Sequence, residues 1–217
     1  MAGALIDDEV LERLCARGVV PVVVTDDVDL MPALGDALKA GGLPVAEVTF
    51  RRPAAVEALR RLALDRDLLV GAGTVVRPEQ VDLARDAGAR FVVMPGFSSR
   101  VVERCREVGM PVVPGVCTAT EVIAALDLGI GLVKFFPAAA AGGPAAVGAL
   151  QAPFPEVRFI PTGGVSAANA AEYLALPSVA AVGVSWMVAA SLVRDGDFAA
   201  VAELSAQAVT IAAQARA

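Results

Sequence analysis

Along the chain, short runs dominated by Val, Ile, Leu and Phe alternate with longer stretches in which apolar residues recur every three to four positions. The short runs are VVPVVVT (19–25), VAEVTF (45–50), LLVGAGT (68–74), FVVMPG (91–96), PVVPGV (111–116), LVKFFP (132–137), VRFIPTGG (157–164) and VAAVGVS (179–185). Runs of this length bounded by Gly and Pro read as strands, and their nearly continuous apolar character reads as burial on both faces. Between them the chain is long enough for a helix that returns it in parallel. Eight such units predict a closed (β/α)8 barrel, with an open doubly wound sheet as the alternative. An additional N-terminal helix over 5–16, marked by Leu5, Val10, Leu11 and Leu14, precedes the first strand, and a C-terminal helix follows the eighth. Glycines in AGG (40–42), AGA (87–89) and LG (128–129) fall where helices end and a left-handed cap is needed. The Ala-rich AAAAGGPAA (138–146) reads as a flexible loop entering a helix.

Composition narrows the chemistry. With 217 residues, 56% of them hydrophobic, residues 1–217 are expected to form one barrel domain around one core. A net charge of −6 argues against a broad nucleic-acid-binding face, so an anionic ligand must be held by local positive groups. The chain has no histidine, which removes the commonest metal ligand and the commonest proton shuttle near neutral pH. Acid–base work then falls to Glu, Asp, Lys or water, and no metal site is expected. Cys15, Cys105 and Cys117 are odd in number and form no CxxC pair, which fits free thiols in a reducing compartment. No apolar run reaches the roughly 18 to 20 residues of a membrane span. The start MAGALIDDEV lacks the basic segment of a signal peptide, so the expected location is cytoplasmic, with no membrane partner.

In strands buried on both faces, polar residues are informative, and here they gather at the C-terminal ends of the runs. By the period of two, Glu47, Thr49 and Arg51 share one face of the second strand, while Thr74 and Lys134 lie at similar depth on the third and sixth. If those faces point inward, a carboxylate, a guanidinium and an amine converge at the barrel mouth, where barrel enzymes carry their sites. Lys134 is one of only two lysines and is set among Leu132, Phe135 and Phe136. Such burial favours a neutral, nucleophilic amine that can attack a carbonyl to form a Schiff base. The structural reading is a lysine that snorkels to the rim or pairs with Glu47. Glu47 is then either a proton shuttle or that structural partner. Arg51 suits a carboxylate ligand, because its planar fork binds both oxygens, whereas Arg52 is expected to face helices or solvent. The turn PTGGVSAAN (161–169) offers Gly163 and Gly164 for close approach of an anion, with Ser166 as a helix cap. Cys117 and Thr118 are placed near the mouth by position, with Cys117 expected to be a buried inert thiol, and Trp186 is expected to pack under that turn.

The segments VAEVTFR (45–51), GAGT (71–74), PG (95–96), KFFPA (134–138), PTGG (161–164) and GVSW (183–186), in this order, resemble the bacterial 2-keto-3-deoxy-6-phosphogluconate (KDPG) and 4-hydroxy-2-oxoglutarate aldolases. The likeness runs from about Arg17 to the last helix. KFFPA and EVTFR are its specific parts. The resemblance implies a class I, metal-free lyase on a (β/α)8 barrel, commonly a homotrimer, that cleaves KDPG to pyruvate and glyceraldehyde 3-phosphate. Its substrates are therefore small 2-keto acids and phosphorylated aldehydes, with no cofactor beyond the covalent lysine. Carried over motif by motif, Lys134 forms the Schiff base and Glu47 is the general acid/base. Arg51 and Thr74 hold the carboxylate, Pro95 and Phe136 shape the pocket, and Thr162 contacts the substrate oxygen that bears on stereochemistry. Gly163, Gly164 and Ser185 bind phosphate, with Arg17 as a further anion contact. Ala139 and Ala141, where the family often has an acidic residue and Asn, and Cys117, where Ser is commoner, depart from the pattern. Three alternatives remain at this level. They are an aldolase for the C4 epimer, a non-covalent phosphosugar isomerase or epimerase, and a phosphate-ligand binding module.

Overall fold

The computed structural model describes residues 8–217. Strands β1 (Val19–Val23), β2 (Val45–Thr49), β3 (Leu69–Gly73), β4 (Val92–Val93) and β5 (Val112–Val113) pair in parallel, with β9 (Val182–Val184) on the other side of β1. A second parallel set joins β6 (Gly115–Val116), β7 (Leu132–Phe135) and β8 (Arg158–Pro161). Bridges from Phe159 to Val179 and from Thr162 to Gly183 connect β8 to the β9 segment and close the ring. The fold is a (β/α)8 barrel. The fifth predicted run is split into β5 and β6, because Pro114 has no N–H to give to the ladder. The run changes partner there: Val113 pairs with Val93, whereas Gly115 pairs with Lys134.

Two apolar layers follow from the alternation along each strand. Outward residues such as Val48, Val70, Val92, Val133 and Phe159 pack against the surrounding helices. These helices include α2 (Met31–Ala40), α3 (Ala55–Leu62), α4 (Pro78–Asp86), α5 (Ser99–Glu107), α6 (Ala119–Asp127), α7 (Gly143–Gln151) and α8 (Ala170–Leu174). Inward residues Val20, Val45, Leu69, Val93, Val113, Leu132, Ile160 and Ala181 instead meet Val10, Leu11, Leu14 and Cys15 of α1 (Asp8–Cys15). The N-terminal helix thus plugs the barrel at the end where strands begin. Leu5, counted into this helix by its spacing, lies outside the described residues. Gly88 and Gly129 adopt the left-handed conformation expected after a helix.

After β9 come a short 3-10 turn, α9 (Ala190–Arg194) and α10 (Phe198–Ala215). Helix α10 is long and apolar enough, by length and composition alone, to cross a membrane, which the sequence reading missed. It packs against α2, with Ser205 beside Gly41 at a crossing too close for a side chain on the glycine. The Ala-rich segment is held more firmly than a flexible loop. Ala138 N–H donates to Thr162 O at 2.8 Å, Ala139 N–H to Gly163 O at 2.9 Å, and Gly143 N–H to Ala138 O at 2.9 Å. Burial pushes the Cys15 thiol up to about 11 and the Cys105 thiol up to about 12, while Cys117 is half-buried. All three are free thiols.

Candidate active site

Two residues beyond the apolar layer that meets α1, polar residues and glycines enter the inward positions on most strands. Val45 is followed by Glu47, Leu132 by Lys134, Ile160 by Thr162 and Ala181 by Gly183. Lys134 and Glu47, each 2% exposed, meet across the barrel with Nζ donating to Oε1 at 3.1 Å. An amine and a carboxylate in hydrogen-bond contact inside a barrel and shielded from bulk solvent can pass a proton between them, so a structural ion pair and a nucleophile–base pair are the same arrangement here. The Phe136 ring centroid lies 5.5 Å from Nζ, where its negative face favours a cation.

Arg51 emerges at the mouth just after β2 and is exposed, with Nε donating to Thr74 Oγ1 at 3.3 Å. Thr74 has φ of 59°, alone among the described non-glycine residues in having a positive value. A β-branched residue held there costs roughly 1–3 kcal/mol, and in return its hydroxyl turns toward the Arg51 fork. Thr49, between Glu47 and Arg51 on the same face, instead donates to Val23 O at 3.1 Å and ties β2 to β1. Arg52 is exposed beside Asp26, as its position suggested.

On the other side of the mouth, Gly163 and Gly164 follow β8 with φ of 95° and 77°, which L side chains rarely adopt. Neither of their N–H groups has an acceptor among the described residues, so both are available to an anion. Their close packing has a second cause: a Cβ on Gly163 would lie 3.1 Å from the Phe136 ring, and one on Gly164 would overlap Ala139. From the Thr162–Gly183 bridge, two steps along each segment lead to Gly164 and to the exposed Ser185. Thr162 is buried, with its hydroxyl donating to Ile160 O at 3.3 Å. Pro95 is half-buried with its backbone against Gly115.

Several expectations need correction. Arg17 is exposed just before β1 and lines a cleft with Arg13, Ala16, Pro44, Val45 and Leu69. Those residues stand where β2 and β3 begin, at the plugged end, so Arg17 is not brought to the Gly163–Gly164 turn. Ser166 does not cap the next helix, because α8 starts only at Ala170. Asn169, which the motif reading passed over, accepts from Ser166 N–H at 2.8 Å and donates from Nδ2 to Gly164 O at 3.1 Å. A Ser followed three residues later by Asn is the signal that was available for it. Thr118, exposed just after β6, caps α6 in a reciprocal pair with Glu121. Trp186 is half-buried against the outer core, in keeping with a packing role.

Three of the candidate residues share one feature that the sequence did not reveal. Glu47, Pro95 and Thr162 each lie against a glycine of the neighbouring βα unit, respectively Gly73, Gly115 and Gly183. Among the described residues, no cluster of three His, Cys, Asp or Glu side chains comes together that could hold a metal ion.

Comparison with known proteins converges on one family. A family model for KDPG and KHG aldolase matches residues 10–204. A 2-dehydro-3-deoxy-phosphogluconate aldolase of Treponema pallidum is 48% identical over 204 residues, covering 94% of this chain and 96% of the relative. Among solved structures, the 2-keto-3-deoxy-6-phosphogluconate aldolase of Zymomonas mobilis ZM4, crystallised with 3-phosphoglycerate, superposes with a TM-score of 0.87 at 38% identity, covering 97% of both chains. The KDPG aldolase of Legionella pneumophila, with pyruvate captured as a covalent carbinolamine, gives a TM-score of 0.87 at 40% identity, covering 89% of this chain and 95% of the other. With the match extending over nearly all of the barrel that brings Lys134 and Glu47 together, the chain belongs to the KDPG and KHG aldolase family.

Proposed function

We propose that this protein is a class I aldolase that cleaves 2-dehydro-3-deoxy-6-phosphogluconate to pyruvate and glyceraldehyde 3-phosphate, and 4-hydroxy-2-oxoglutarate to pyruvate and glyoxylate. The observation that carries the reading is the buried contact of 3.1 Å between Lys134 Nζ and Glu47 Oε1. Lys134 attacks the C2 carbonyl, Glu47 assists loss of water, and a protonated Schiff base forms. Glu47 then takes the proton of the C4 hydroxyl while the C3–C4 bond breaks. The electron pair of that bond moves into the iminium to give an enamine, and the aldehyde leaves. Protonation of the enamine at C3 and hydrolysis of the Schiff base release pyruvate and restore the amine.

Around this pair, Arg51 and Thr74 bind the carboxylate as a fork and a hydroxyl. Pro95 and Phe136 wall the methylene carbon, and Thr162 meets the C4 oxygen. Gly163, Gly164 and Ser185 take the phosphate, supported by the two N–H groups of the glycine turn that have no acceptor among the described residues. A homotrimer in the cytoplasm, working without a metal, belongs to the same reading. Light scattering of the purified chain measures that assembly.

The deciding experiment is reduction with sodium borohydride in the presence of pyruvate. A reduced adduct on Lys134, located by mass spectrometry, is the expected result. A folded protein that turns over substrate while Lys134 stays unmodified would overturn the covalent scheme and favour a non-covalent isomerase or epimerase.

A further inference from the structure

We propose that Gly73 is a positioning residue whose missing Cβ makes the seat in which the Glu47 carboxylate is held against Lys134. The inference rests on the acid–base role of Glu47 proposed above. Glu47 lies opposite Gly71 in the β2–β3 register, yet its carboxylate lies over Gly73, two residues nearer the mouth. The side chain thus climbs along β3 to reach the level of the amine. At Gly71 itself the space is filled by the Phe91 ring, which would overlap any Cβ there, so the carboxylate has no place to settle lower down.

At Gly73 a Cβ would stand 2.6 Å from Cγ and 2.7 Å from Cδ of Glu47, and closer still to Oε1. Non-bonded carbons rest at roughly 3.5–4.0 Å, so the overlap cannot be absorbed by small adjustments. Strand β3 cannot step aside, because Gly73 pairs with Thr49 in register and its carbonyl accepts from Phe50 N–H at 2.8 Å. The carboxylate must give way instead, and its contact of 3.1 Å with Lys134 is what it loses. Gly73 therefore acts through Glu47 without touching substrate.

The test is Gly73→Ala, made alone and in a Glu47→Ala background. The single variant is expected to fold, to keep the borohydride adduct on Lys134, and to lose about 100-fold in pyruvate-forming turnover, the low end of what an acid–base group supplies. In the Glu47→Ala background the same change should lower neither turnover nor melting temperature further, since the obstructing atoms are gone. Full turnover in Gly73→Ala would overturn the inference, and so would an equal loss in both backgrounds. If the single variant does not fold, a folded Glu47→Ala/Gly73→Ala protein supports the seat, and failure of both to fold overturns it. Absence of an adduct in the unmodified protein would remove the proposed function and the catalytic half of this inference together. Coupling of the two melting temperatures would still read the steric seat by itself.

Discussion

At the plugged end of the barrel, Val45, Leu69, Leu132, Ile160 and Ala181 close over Val10, Leu11 and Leu14 of α1 in an apolar layer. Two residues further along the same strands, the layer reads Glu47, Gly71, Lys134, Thr162 and Gly183, and the interior turns from core into site. Both layers point inward by the same alternation, so backbone geometry does not distinguish them. What differs is the neighbour above. The first layer is sealed by a helix, and the second opens on the mouth. The apolar layer serves the polar one as a dry floor, on which a charged pair meets with little competition from water. Stability and chemistry are thus stacked along the barrel axis, and substitutions in the two layers should separate them.

The sharpest separation is expected from Lys134→Ala, which removes the nucleophile. No borohydride adduct and no turnover should remain, and persistence of either in the purified variant would break the assignment of the upper layer. Glu47→Gln comes next. It should keep the Lys134 adduct while steady-state turnover falls about 100- to 10,000-fold, the range of acid–base contributions. Loss of the adduct with turnover intact would invert the two roles. In the lower layer, Leu14→Ala should cost about 2–5 kcal/mol in denaturant unfolding through the cavity it leaves, with kcat unchanged below the new melting point. A fall in kcat without loss of stability would show that the plug does more than seal.

The smallest effect concerns the thiols. Alkylation of the folded protein at mildly alkaline pH should label Cys117 and spare Cys15 and Cys105, whose thiols burial pushes up to about 11 and about 12 from 9.0. The folded state retains protons that the unfolded chain gives up, so their share of stability is complete below pH 9.0 and declines as pH rises toward those raised values. A melting temperature measured across that range in Cys15→Ala should fall less steeply than in the unmodified protein.

How much of this was legible beforehand differs by element. The strands were visible because residues buried on both faces must be apolar, and a lysine in LVKFFP or a glutamate in VAEVTF stands out against that background. Pro114 was visible too, yet its effect was not, because a missing N–H matters only when a partner strand is there to need it. Arg17 was misplaced for a related reason. A residue before a strand and one after it are both loop residues in sequence, but they lie at opposite ends of a barrel.

The sequence by itself determined the βα alternation, the eight runs and the polar residues that interrupt them, since hydrophobic period and turn chemistry are local properties. Tertiary structure alone decided that Glu47 reaches Lys134 across 87 residues of chain, that Thr74 turns its hydroxyl to Arg51, and that three glycines make room for their neighbours in adjacent βα units. Those outcomes depend on strand register and on the volume left by residues far away in sequence, and neither quantity exists until the barrel closes.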